Sequence, residues 1–256
     1  MTRYTVRHFW ELLLSMTYKE LTTRYKHTVF GFLWVFINPL IQMIVIGFIF
    51  PLFMDDPIPH YSLYLLTGLL TWNFFSLSLS KASAAIVYER ALIKKSKFPH
   101  AVIPLSIILS NAVNLLLSFL LVIPVAMYYE IFSLARLGSF IAGFVMLIFF
   151  TSGISLLTAA LNVRYRDITF FTQAMLIVWF YVTPVVYSIY SVPESLIPLW
   201  RCNPMTSIVQ FFQHSLVNFP APGIGMILTN AIIVLGVLSI GISVFIRESK
   251  YFDDWL

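Results

Sequence analysis

The chain has 256 residues, 59% of them hydrophobic and only 11% charged, with a formal charge of +5. A soluble globular protein carries about 25% charged residues, so this composition excludes a water-facing globule and predicts an all-α integral membrane protein. The positive balance does not indicate nucleic acid as a partner, because the basic residues sit in short segments beside apolar runs, where they set topology. The single cysteine, Cys202, excludes an intramolecular disulfide and a cysteine metal site.

Residues 6–25 read as an amphipathic helix. His8, Glu11, Ser15, Lys19, Thr22 and Lys26 recur at spacings of three and four, and Trp10, Leu13, Leu14, Thr17, Leu21 and Tyr25 form a second stripe. A basic polar face opposite an aromatic apolar face suits the membrane interface; the alternative is a soluble N-terminal helix. The charged opening, with no short apolar core and no small-residue cleavage site, does not read as a cleavable signal.

Continuous apolar runs, rather than alternation over about ten residues, predict helical spans and not a β-barrel. Six spans are expected: 29–54, 61–80, 101–129, 138–161, 168–190 and 223–246. The first is opened by Gly31 and carries Asn38-Pro39, where the missing amide of Pro39 predicts a kink, with Gln42 one turn later. The third carries Asn111 and Asn114 on one face, as helix–helix contacts do. In the fourth, Gly143, Ser152, Gly153 and Ser155 permit close packing.

Residues 81–100, KASAAIVYERALIKKSKFPH, hold Lys81, Arg90, Lys94, Lys95 and Lys97 against Glu89. Ala-rich, free of Gly and Pro and stopped by Pro99, residues 82–97 predict a cytosolic helix lying across the base of the membrane domain. Residues 162–167, NVRYRD, form a tight basic loop. Residues 191–222 are apolar but broken by Pro193, Pro198, Pro204, Pro220 and Pro222. Arg201 at the centre of a span would cost about 2.5–3.5 kcal/mol, so this segment is expected to dip into the outer leaflet as two short helices and return.

Fourteen of the sixteen basic residues then fall on one side, with Arg136 and Arg201 on the other. The bias places both termini in the cytoplasm.

The chain has no GxxxxGK[ST], HExxH or GxSxG motif. No span carries a mid-membrane ionisable group, which argues against a proton- or sodium-coupled carrier. Asp55, Asp56 and His60 are the local acid and imidazole group, with no partner motif that would make a membrane transferase of them. The remaining design is a passage worked from outside the chain, through its longest cytosolic loop.

Six ordered stretches carry a family resemblance: TTRYKHTVFGFLWVFINPL (22–40), GLLTWNFFSLSL (68–79), ALIKKSKFPHAVIPL (91–105), LNVRYRDI (161–168), YVTPVVYS (181–188) and CNPMTSIVQFFQ (202–213). Together they resemble the type-2 ATP-binding-cassette permeases that export polysaccharides and polyol phosphates. The departure is YER at 88–90, where that family has a small polar run. The resemblance implies a homodimer of permease chains working with two ATPase subunits, which bind ATP and Mg, so that this chain has no cofactor and no catalytic residue of its own. It implies an undecaprenyl-linked glycan as cargo and the bacterial inner membrane as location. A drug or small-lipid exporter is the alternative within the family, and a channel needing no ATPase is the alternative outside it.

Site expectations follow. Glu89, Arg90 and Leu92, with Arg166 and Asp167 as a second contact or a local ion pair, are the candidate ATPase-coupling residues. Arg24, Lys26, Lys94, Lys95 and Lys97 are candidates for holding a lipid pyrophosphate at the inner interface; the alternative is topology and anionic headgroups. Trp34, Phe36, Asn38, Gln42, Phe48, Phe75, Trp179, Phe180, Tyr181 and Tyr187 are the candidate lining of the path, since flat apolar rings stack on sugars without fixing their identity.

Overall fold

The computed structural model describes residues 6–26, 30–53, 58–95 and 98–255, and the described residues are helical with short irregular connections. Five helical runs among them are long and apolar enough to cross a membrane: Trp34–Leu52, Tyr61–Tyr88, Val102–Tyr128, Leu134–Arg164 and Ile224–Tyr251. The helices are α1 (Val6–Tyr25), α2 (Trp34–Ile49), α3 (Tyr61–Tyr88), α4 (Arg90–Lys95), α5 (Val102–Tyr128), α6 (Leu137–Arg164), α7 (Asp167–Val182), α8 (Ile197–Arg201), α9 (Pro204–Val217), α10 (Ile224–Glu248) and α11 (Phe252–Trp255).

Helix α3 is the central post, buried along most of its length against α5, α6, α7 and α9. Phe75 stacks on Phe150 of α6 at 5.7 Å and meets Trp179 of α7 edge-on at 5.2 Å. Phe119 of α5 stacks on Phe212 of α9 at 5.0 Å. Lipid tails are as apolar as leucine, so packing density and small-residue contacts, rather than water exclusion, hold such helices together. The sharpest case is the crossing of α6 and α10. A Cβ on Gly153 would lie 2.7 Å from the Leu238 backbone, and one on Gly241 would collide with the Gly153 carbonyl. Gly143 likewise makes room for Phe211 of α9, 2.8 Å from where its Cβ would stand.

Two elements differ from the sequence expectation. The separate helix over 82–97 does not form: α3 continues to Tyr88, and only the six residues of α4 follow. The cause is local. Nothing between Ser80 and Tyr88 breaks a helix, and a charge at Lys81 marks the membrane boundary without bending the backbone. The 28 residues of α3 rise about 42 Å, more than the ~30 Å hydrocarbon core of a bilayer, so the helix is longer than a crossing needs. The second is α7: the sequence predicts a fifth span over 168–190 interrupted by Pro184, and the helix stops there, at Val182, because Pro184 cannot donate into another turn. Its 16 residues rise about 24 Å, less than the core of a bilayer.

The backbone after α7 shows how irregular chain is tolerated beside lipid, where carbonyls need internal donors. Thr183, Val185 and Val186 are buried. The Tyr61 hydroxyl donates to the Val186 carbonyl at 2.8 Å, and the Tyr64 hydroxyl donates to the Tyr187 carbonyl at 2.9 Å. The two short helices expected within 191–222 are α8 and α9. The second is buried nearly all round. Asn203 caps it by accepting from the Met205 amide at 3.1 Å, and Asn218, at φ 58°, ends it with its backbone N–H donating to the Gln213 carbonyl.

Helix α2 packs on α3 along one face only, and Pro39 is its one fully buried residue. Gly31, at φ +49°, makes the turn that leads into it. The helix stays continuous through Pro39, so the expected kink does not interrupt the span.

A second apolar cluster closes the end of the bundle where α4 lies. Ile86 of α3, Ile93 of α4, Ile103 of α5, Val163 of α6, Phe245 of α10 and Phe252 of α11 meet there, with Met16 of α1 packed alongside.

Candidate coupling surface and headgroup cavity

Below α3 the chain assembles a bracket from three elements. Glu89 sits at the break between α3 and α4, and its carbonyl accepts from the amides of Leu92 and Ile93 at 2.9 and 3.1 Å. Ile93 is buried in the second cluster and pins α4. The Glu89 carboxylate accepts from Lys19 Nζ of α1 at 2.8 Å. Glu89 is therefore an internal tie, a role the sequence reading missed, while Arg90, Lys94 and Lys95 stay exposed and Leu92 is half-buried. A period-3.6 pattern shows which face Lys19 occupies, but only the fold shows what that face meets.

Arg166 and Asp167 are exposed at the start of α7. Among the described residues no ion pair joins them; the 162–167 loop is fixed instead by the Thr169 hydroxyl, which donates to Asn162 Oδ1 at 2.8 Å. The expected local ion pair is thus replaced by a neutral hydrogen bond.

Of the five candidate cations, four lie among the described residues. Lys97 lies outside the described residues, as do Asp55 and Asp56. Lys26, Lys94 and Lys95 are exposed. Arg24 alone turns into a cavity of about 550 Å³ between α2, α3 and α5, whose lining includes Trp34, Asn38, Gln42, Asn73, Asn111 and Asn114. Gln42 and Asn73 are tied to one another across it, Asn73 Nδ2 donating to Gln42 Oε1 at 3.0 Å. Asn73 joins two helices here, and the sequence reading passed over it.

The aromatic residues expected along a path divide. Phe48 is 77% exposed and Tyr181 63%. Trp34 is also exposed, and Phe36 is half-buried. Phe48, Tyr181 and Trp34 present ring surface outside the core. Phe75 is 0% exposed and lines nothing: the ring is core. Trp179 is a core wedge as well, its Nε1 donating to Asn203 Oδ1 at 2.9 Å. Phe180 packs edge-on against Trp72 at 5.5 Å. Tyr187 is committed to a hydrogen-bond chain, donating to the Tyr181 carbonyl at 2.7 Å and accepting from Trp200 Nε1 at 2.8 Å.

In sequence, residues 247–256 read as a short charged tail. It folds back instead: Phe252 is fully buried, stacks on His100 at 5.7 Å and meets Phe245 edge-on. Arg164 lies over the Trp255 ring at 5.4 Å. The aromatic spacing of Tyr251, Phe252 and Trp255 was the available signal.

The sequence profile described as ABC-2 type transporter matches residues 11–217, which takes in the α1–α4 bracket, the cavity and α9. The chain belongs to that family. Curated relatives agree in length as well as in pattern. The chain is 32% identical over 226 residues to an O-antigen export system permease protein RfbA from Klebsiella pneumoniae, covering 85% of this chain and 86% of the relative. It is 30% identical over 245 residues to the protein of that name from Myxococcus xanthus, covering 95% and 94%. A more distant match is the polysialic acid transport protein KpsM of Escherichia coli, 20% identical over 202 residues and 78% of each chain. As an ABC-2 permease with several membrane-crossing helices, the chain is a multi-pass protein of the inner membrane and the membrane subunit of a transporter.

Proposed function

We propose that this chain forms the passage of an exporter that moves a lipid-linked, O-antigen-like polysaccharide across the inner membrane, worked by a separate ATPase subunit. The observation that carries the reading is the near full-length likeness to O-antigen export permeases, in a chain that has no phosphate-cradling loop of its own. On this reading α7 is the fifth of six spans, its shortfall in length made up by the covered segment 183–188. The segment 191–222, with α8 and α9, faces the outer leaflet, and both termini are cytoplasmic.

The bracket of α1, α4 and the end of α3 is then the ATPase contact, with Arg90 and Leu92 as its outward residues and Glu89 as the tie that stiffens it. A contact of this kind passes on nucleotide-driven closure as a rigid-body movement. Arg166 and Asp167 are the second contact. Two permease chains and two ATPases make the working unit, with ATP and Mg held by the ATPases. The cargo is glycan on an undecaprenyl-type carrier, and Phe48, Trp34, Phe36 and Tyr181 lie along its path.

The test is to copurify the chain with a nucleotide-binding subunit and assay ATP hydrolysis and glycolipid transport in vesicles. Transport that needs both chains and ATP supports the proposal. Uphill transport by this chain alone, or by the pair without nucleotide, refutes it.

A further inference from the structure

The α2–α3–α5 cavity is built with polar groups that nothing among the described residues satisfies. Nε and Nη2 of Arg24 are shielded from solvent and have no hydrogen-bond partner among the described residues. Asn111 is 2% exposed and Asn114 8%, and Oδ1 of each is buried without a partner. All three residues line the same space. Leaving a buried polar group unpaired is costly, and most of all so for a charged one. Asn111 is held in place from behind, its Nδ2 donating to Ser78 Oγ at 2.9 Å, which leaves its carbonyl oxygen as the free acceptor.

Charge points the same way. Lys81 of α3 lies within electrostatic reach of Arg24 and of Glu20, so the neighbourhood of Arg24 holds a second cation and one carboxylate. Depth completes the pattern. Asn111 and Asn114 come nine and twelve residues after Val102, the first residue of α5, about 14 and 18 Å up the helix from its start. The site therefore offers a guanidinium that needs an anion and, beyond it, two carbonyl oxygens that need donors.

We propose that this cavity is a headgroup site for an amphiphile that combines a phosphate ester with hydroxyl groups. Arg24 takes the phosphate in a charge-assisted bond, and the carbonyl oxygens of Asn111 and Asn114 accept from the hydroxyls. Two sources share this chemistry: a resident phosphoglycerol lipid of the bilayer, and the sugar-diphosphate end of a glycan carrier. The second deepens the export reading and rests on it; the first does not.

The test uses the full-length protein in nanodiscs, with bound lipid counted by native mass spectrometry and Trp34, on the cavity wall, as a fluorescence reporter. The probes are phosphatidylglycerol (phosphate and hydroxyls), phosphatidic acid (phosphate without them) and a prenyl diphosphate-linked monosaccharide. Arg24→Gln is expected to weaken all three about tenfold or more, the scale of a lost charge-assisted hydrogen bond, and Arg24→Lys to recover part of it. Asn114→Leu, with Asn111→Leu as a second variant in case one fails to fold, is expected to erase the preference for phosphatidylglycerol while leaving phosphatidic acid binding as it was.

Displacement of phosphatidylglycerol by the prenyl diphosphate sugar from wild type identifies the carrier as occupant. Retention of phosphatidylglycerol against it identifies the bilayer lipid. A cavity that holds water only, Arg24→Gln binding every probe as wild type does, or asparagine variants that lower both phospholipids equally would each overturn the proposal. None of these outcomes touches copurification with an ATPase, so the failure of this site and the failure of the export reading are told apart.

Discussion

Lys19 and Glu89, seventy positions apart in sequence, meet at 2.8 Å and join the N-terminal helix to the turn beneath the central span. Their side chains are 52% and 30% exposed, and an ion pair this open to solvent contributes only about 0–1 kcal/mol to stability. Its value is geometric: it couples α1, α3 and α4 so that a push on one is felt by the others. Glu89→Lys is expected to leave the thermal midpoint nearly unchanged and to cut ATP-driven export several-fold. The swapped pair Lys19→Glu with Glu89→Lys is expected to restore it. Export unaffected by the single change, measured in vesicles alongside a melting curve, removes the tie from the mechanism.

The crossing of α6 and α10 makes the opposite kind of prediction. At Gly241 an added Cβ meets the backbone of Gly153, and backbone does not step aside as a side-chain tip does. Gly241→Leu is expected to cost at least about 1–3 kcal/mol, the range for overpacking, and to reduce folded protein sharply in fluorescence-detected size exclusion. Gly236, which meets no atom within 4 Å of an added Cβ, supplies the control: Gly236→Ala is expected to fold as wild type.

Phe75 and Phe48 separate core from path. Phe75→Ala removes a fully buried ring packed on Phe150 and Trp179 and is expected to cost about 3–5 kcal/mol of stability. Phe48→Ala is expected to leave stability within about 0.5 kcal/mol while slowing glycolipid export, if export is followed at normal expression. Equal melting temperatures for the two variants would contradict the packing described here.

The folded-back tail is the fourth test. Phe252→Ala is expected to cost about 3–5 kcal/mol and to free the second cluster at its base. Its effect should appear as faster amide exchange in Val244–Phe252 and in α4, which share the cluster with Phe252. Exchange unchanged in α4 would show that the tail and the coupling surface are independent.

The sequence by itself determined the helical membrane class and the bounds of α1, because those depend on composition, on period-3.6 patterning and on breakers such as Pro204; the likeness to export permeases rested on the ordered motifs. It also marked Gly143 and Gly153 as packing residues, since a small side chain on an apolar helix has few other uses. What it left open is everything set by which faces meet. An isolated pattern cannot show that Glu89 reaches back to Lys19, that Phe75 and Trp179 close on Phe150, or that the phenols of Tyr61 and Tyr64 satisfy carbonyls more than a hundred positions away. A charge such as Lys81 looks like an element boundary in sequence, yet backbone hydrogen bonding ignores it and α3 runs on to Tyr88. The tertiary structure decided these points because each is a contact between distant segments. The energy of such a contact, whether a ring stack, a shared proton or a buried guanidinium, exists only once both surfaces are in place.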